Sequence, residues 1–168
     1  MTLKSRWIPV AGIALAVLGS QGMEVQAQTT LLSYAAKFAC GSRGVDSSVV
    51  VGFYETSVNL HNPHFRQVTA QKKAVIARPQ SVPPGPISKL VEEPFQPDGA
   101  VGVNCKDIRA LFSPAATGFI EGFLVVYVPH ETPLDVTDVI TARHRAGTDP
   151  DVESINVYEV HPQQVIAP

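Results

Sequence analysis

The chain has 168 residues, 45% of them hydrophobic and 17% charged, with a formal net charge of −2. That length is enough for one domain with a real core. The mild acidic balance gives neither the electrostatic footprint of a nucleic-acid binder nor the polybasic patch of an anionic-lipid binder.

Lys4 and Arg6 precede an apolar run, residues 8–18, broken only by Pro9 and Gly12, and a polar stretch then ends in Val25-Gln26-Ala27. A charged start, a short apolar run and a small residue at the cut site read as an export signal over residues 1–27, cut near Ala27. The run holds about a dozen residues, too short for a comfortable span, so no membrane span is expected after cleavage. An uncleaved N-terminal anchor is the alternative. Without Lys4, Arg6 and Glu24, together +1, the chain's −2 becomes −3. The expected product is one secreted or periplasmic domain over residues 28–168. It carries Cys40 and Cys105 into an oxidising compartment, where they are expected to pair. The loop so closed holds about 66 residues, and the chain-entropy model assigns it about 4 kcal/mol. Two separate buried thiols are the alternative.

In chain order, residues 31–39 are small, apolar and aromatic and predict a first strand, with a loop over 41–46. Residues 49–61 form the strongest strand signal. Thr56, Val58 and Leu60 fall on one face, Ser57, Asn59 and His61 on the other, and Asn62-Pro63 stops the run. Residues 66–77 alternate with Val68, Ala70, Ala74 and Ile76 in one register. Lys72 falls in that register too, which predicts either a bulge or an edge strand blunted by charge. Residues 78–99 carry six of the chain's 14 prolines, which excludes a helix or a central strand there. An ordered, extended crossing is expected, with a short edge strand over 87–91 and anchors at Ile87, Leu90, Val91 and Phe95. Residues 100–104 alternate weakly. Residues 106–112 give one helical turn, with Ile108, Leu111 and Phe112 spaced i, i+3, i+4. Residues 119–128 are apolar on both alternating faces and predict either a central strand covered on each side or a long strand. Residues 134–142 and 152–160 are two further strands, separated by a turn at 146–150. The fold class is all-β: a single antiparallel β-sandwich of about seven strands, immunoglobulin-like or jelly-roll-like, with one short helical turn.

Polar residues concentrate at Asn59-Leu60-His61-Asn62-Pro63-His64. A His-x-x-His pair can ligate zinc or copper, but Pro63 makes the spacing non-helical. A third ligand would have to come from His130, His144, His161, Glu121, Asp135 or Asp138. Asn59 and Asn62 can instead satisfy backbone groups at a turn. Glu121 shares the register of Phe119, Phe123, Val125 and Tyr127. It is an acid with a function, a residue at the strand's exposed end, or the partner of a cation such as Lys72 or Lys73. Asp135 and Asp138 point to opposite faces of one strand unless a bulge intervenes, which makes them poor candidates for a paired-carboxylate hydrolase centre. No G-x-S-x-G, S-x-x-K or H-E-x-x-H occurs.

Several strings occur in a fixed order: Tyr34-Ala35-Ala36-Lys37-Phe38-Ala39-Cys40-Gly41, Asn59-Leu60-His61-Asn62-Pro63, Lys72-Lys73 and Pro97-Asp98-Gly99-Ala100. They continue with Asn104-Cys105-Lys106-Asp107-Ile108, Gly122-Phe123-Leu124-Val125-Val126 and Leu134-Asp135-Val136. The set resembles a family of exported, functionally uncharacterised prokaryotic β-sandwich proteins. Ile140-Thr141 departs from the aromatic-Thr pair expected there. The strand, Asn-Pro, strand layout also resembles the small β-sandwich of the sensory rhodopsin transducer family, whose members assemble and bind partners. That likeness implies fold more than function.

The expected function is a non-enzymatic exported module that binds an unknown protein or envelope component, without a cofactor. One alternative is a metal-binding protein or metalloenzyme centred on His61 and His64. The other is a homo-oligomer assembled through a sheet edge, the Lys72/Lys73 strand being the candidate.

Overall fold

The computed structural model describes residues 29–44, 51–146 and 149–167, with the side chains of 144–156 outside that description. The export signal and Val49-Val50 lie outside the described residues, as do Gly147 and Thr148 of the turn. Nine strands and one short helix are described: β1 (Thr30–Arg43), β2 (Gly52–His61), β3 (Val68–Ile76), β4 (Val91–Phe95), β5 (Ala100–Asn104), α1 (Cys105–Ala110), β6 (Ile120–Pro129), β7 (Asp135–Ala146), β8 (Asp149–Glu159) and β9 (Gln163–Ile166). Every pairing is antiparallel.

The strands form two layers joined by β1. One layer runs β4-β3-β6-β1-β9. In the other, β7 lies along one edge of β2 and β8 lies beyond it, while β5 and the last three residues of β1 share the opposite edge of β2. The sequence predicts a loop from residue 41, whereas β1 continues to Arg43 and enters the second layer. Gly41 permits this. Its φ is +100°, and a Cβ there would stand 2.8 Å from the Gly118 carbonyl, a position open to glycine alone.

Crossing between layers strands part of β1. β9 pairs residues 30–33 and β2 pairs 41–43, so the intervening edge has no neighbouring strand among the described residues. Side chains fill the gap. Asp138 Oδ2 accepts from the Lys37 amide at 3.1 Å. Thr56 Oγ1 accepts from the Ala39 amide and donates to the Ala39 carbonyl, both at 2.9 Å. Thr56 and Asp138 are accordingly buried among apolar neighbours, and buried backbone groups need such partners. Asp138 Oδ1 has no partner among the described residues. Burial raises the Asp138 pKa, against the lowering effect of backbone N–H groups including Lys37.

The bridge Cys40–Cys105 closes at this bend, with Cα atoms 5.6 Å apart. It joins the crossing segment of β1 to the first residue of α1. Asn104 and Asp107 cap that helix reciprocally. Ile108, Leu111 and Phe112 are buried as their spacing predicts. The core between the layers gathers Tyr34, Phe38, Leu60, Phe95, Ile108 and Leu124.

Four expectations need correction. Nine strands replace about seven. β9 is short enough to escape a periodicity test, and the predicted edge strand over 87–91 lies instead at 91–95, leaving only a bridge from Ile87 to Val75. Of its expected anchors, Phe95 is buried and Val91 half-buried, whereas Ile87 and Leu90 are exposed. Next, β3 has no bulge and is no edge strand: it lies between β4 and β6. Lys72 points inward and survives burial by ion-pairing with Glu93 across the β3–β4 ladder. The Lys72/Lys73 strand therefore offers no free edge for assembly. Finally, β6 is central but covered on one face only. Ile120, Leu124, Val126 and Val128 are buried, while Phe123 is 43% exposed on the outer face.

Candidate functional site

The polar cluster singled out at residues 59–64 lies at one end of the sandwich, where β2 ends, β3 begins and β6 turns into β7. Asn62 organises it. Its side chain is fully buried, with Nδ2 donating to the carbonyls of Arg66 and Gln96 at 2.9 Å each. Oδ1 accepts from the His64 amide at 3.1 Å. This is the turn-satisfying use that an Asn before Pro predicts. Two backbone bonds reinforce it: the Asn62 amide to the Gly99 carbonyl, and the Asp98 amide to the His64 carbonyl.

His61 leaves the outer face of β2 and sits between two carboxylates. Its Nδ1 is 3.0 Å from Asp135 Oδ2 and its Nε2 is 3.1 Å from Asp98 Oδ1. A ring that donates from both nitrogens is an imidazolium. The hydrogen bonds to Asp135 and then Asp98 raise its pKa above the ordinary value of 6.5. The interaction is fully present below that ordinary value and is lost as pH rises through the raised one. Unfolding midpoints of the wild type should therefore converge on those of His61→Gln between about pH 6.5 and the alkaline limb, and high salt should shrink the gap. A difference that is flat across that range would remove the ionic clasp.

The two histidines of His-x-x-His turn to different partners. His64 Nε2 donates to the Pro133 carbonyl at 2.8 Å, fastening the loop to the β6–β7 connection. Among the described residues, no three His, Cys, Asp or Glu side chains gather to hold a metal ion. Asn59 lies farther up the outer face of β2, exposed, with its Oδ1 3.5 Å from Ser57 Oγ. Glu121 is at the other end of the molecule, near the start of β6, so it does not belong to this cluster. Lys72, one of its expected cationic partners, is taken by Glu93. Asp135 and Asp138 take opposite faces as predicted, one exposed and one buried.

Two residues here escaped the sequence reading as functional candidates. Asp98 occupies a turn with φ +53° and reaches His61 only through tertiary pairing. Phe65 sits at the tip of the loop, 99% exposed, between Pro63-His64 and Arg66-Gln67. Its signal was an aromatic stranded in a polar run, with no apolar neighbour in register to bury it.

No family model matches this sequence, and no curated protein or solved structure shows significant similarity to it.

Proposed function

We propose that the chain is an exported, non-enzymatic binding module that docks on a protein of the cell envelope through residues 62–67, with Phe65 as its anchor. The observation that carries this reading is a fully exposed phenylalanine on a loop pinned by three side-chain hydrogen bonds of Asn62. Burying a phenylalanine side chain contributes about 1.5–3 kcal/mol. A loop already held in one shape loses little conformational freedom on binding, so more of that gain becomes affinity. Aromatic anchors of this kind dominate protein interfaces. Export rests on residues 1–27 and on a bridge between distant cysteines, which persists outside reducing compartments. His61, the histidine of the densest polar cluster, has both nitrogens committed to carboxylates and is a poor general base, which favours binding over catalysis at this end of the sandwich.

The test is a titration of the mature protein onto the envelope fraction of the producing cells. Phe65→Ser should weaken saturable binding by about tenfold or more while the melting temperature stays unchanged. Equal binding by both proteins, or no saturable binding by either, overturns the reading.

A further inference from the structure

The far end of the sandwich carries a cleft of about 600 Å³ where the end of β1, the end of β3 and the start of β6 meet. Two arginines, Arg43 and Arg78, line it with Glu121, Phe119, Ile76 and Pro86. A cleft of this size falls in the range of small-molecule sites. Its arginines differ from the neighbouring Arg109, whose guanidinium is consumed by the fold: Nη1 donates to the Ala116 carbonyl at 2.9 Å, and Nη2 to those of Cys40 and Gly118 at 3.0 and 2.7 Å. Among the described residues, Arg43 donates no such hydrogen bonds to carbonyls. Its guanidinium carbon lies 4.8 Å from the Phe119 ring centroid, and its Nε is buried with no hydrogen-bond partner among the described residues. The planar guanidinium fork, held here over a ring, suits the two oxygens of a carboxylate.

We propose that this cleft binds a small organic carboxylate, its head group on Arg43 and Arg78 and its apolar body against Phe119, Ile76 and Pro86. Charge selects the head group. Two arginines against Glu121 leave a net +1, which matches a monoanionic carboxylate better than a doubly charged phosphate. The apolar lining selects a body and not a bare ion. The cleft and the Phe65 loop occupy opposite ends of the sandwich, so either can act without the other.

The probe is benzoate, titrated into the mature protein and followed by backbone amide resonances, with benzyl alcohol and inorganic phosphate as comparison ligands. Benzoate should give saturable shifts at residues 76–78 and 119–121. Loss of a charge-assisted hydrogen bond should weaken it about tenfold or more in Arg43→Gln and in Arg78→Gln. Arg43→Lys, which keeps the charge and loses the fork, should also bind more weakly than wild type. If Arg43→Gln fails to fold, Arg78→Gln alone carries the test. The proposal falls if benzoate does not saturate at millimolar concentrations, if the folded glutamine variants bind as wild type, or if benzyl alcohol or phosphate binds as well as benzoate.

Discussion

Reducing the Cys40–Cys105 bridge is expected to lower the unfolding free energy by about 4 kcal/mol, since the cross-link removes loop-closure entropy from the denatured chain. The cysteines stand 65 positions apart, and the loop between them contains β2, β3, β4 and β5. All four would be freed at once in the reduced unfolded state. A loss of this size is a large part of the 5–15 kcal/mol that typically holds a domain together. The native side adds to the effect. Cys40 is fully buried at the bend of β1, and the Thr56 amide donates to Cys105 Sγ at 3.2 Å. Here the backbone ladder lapses and the bridge, Thr56 and Asp138 together replace a missing strand. Denaturant unfolding with and without reductant, beside a Cys40→Ala/Cys105→Ala variant, measures the term. The reduced chain should also show a steeper denaturant dependence, because its unfolded state exposes more surface. A shift below about 1 kcal/mol in both experiments would mean that the bend is held by its hydrogen bonds alone.

Local pattern revealed much of this architecture, and it stopped where a residue's partner lies far along the chain. Alternation in β2 places Thr56, Val58 and Leu60 inside and Ser57, Asn59 and His61 outside, as the structure does. The helical turn is legible because its three apolar residues lie within one short segment, and the structure adds the Asn104 cap. Lys72 is the instructive failure. Its register says inward and its charge says edge, and sequence alone could not supply Glu93, which resolves the conflict from 21 positions away. For Asp138 the face opposite Asp135 was legible but its role was not: a carboxylate at an inward position makes sense only once β1 is seen to leave one layer with its Lys37 amide in need of a partner 101 positions away. The outer face of β6 misled for another reason. Phe123 and Val125 are as apolar as a buried face, and only the layer order shows that no second layer of the described residues covers them.

The candidate site divides along the same line. His61, Asn62 and His64 stood out because they are close in sequence, and the fold keeps them together. The partners that define their roles are remote: Asp98 and Asp135 for His61, Gln96 for Asn62, Pro133 for His64. Those partners turn an apparent metal motif into a fastening of three connections at one end of the sandwich. Phe65 becomes conspicuous only after that, because an exposed aromatic on a loose loop would attract no notice.

Asn62→Ala is expected to cost about 3 kcal/mol. The substitution removes the Asn62 partner of the Arg66 carbonyl and of the His64 amide and leaves the Gln96 carbonyl with the Gly99 amide alone, and each group left unpaired out of water costs about 1–3 kcal/mol before water or loop movement relieves it. All three lie on or beside the segment that presents Phe65, so relief comes by loosening that segment. The variant should therefore lose affinity for a partner in addition to stability. Asn62→Asp should fare no better. It keeps the acceptor toward His64 and places a negative charge against the carbonyls of Arg66 and Gln96, where Nδ2 now donates. The clasp around His61 offers little compensation, because it is exposed and screened by salt. Denaturant unfolding of the two variants, together with limited proteolysis at residues 63–67, reads both effects. If stability falls by less than about 1 kcal/mol and the loop still resists cleavage, then the backbone bonds from Asn62 to Gly99 and from Asp98 to His64 suffice to hold it. Phe65 would still be preorganised in that case, with the β4–β5 turn, and not the buried amide, setting the shape of the tip.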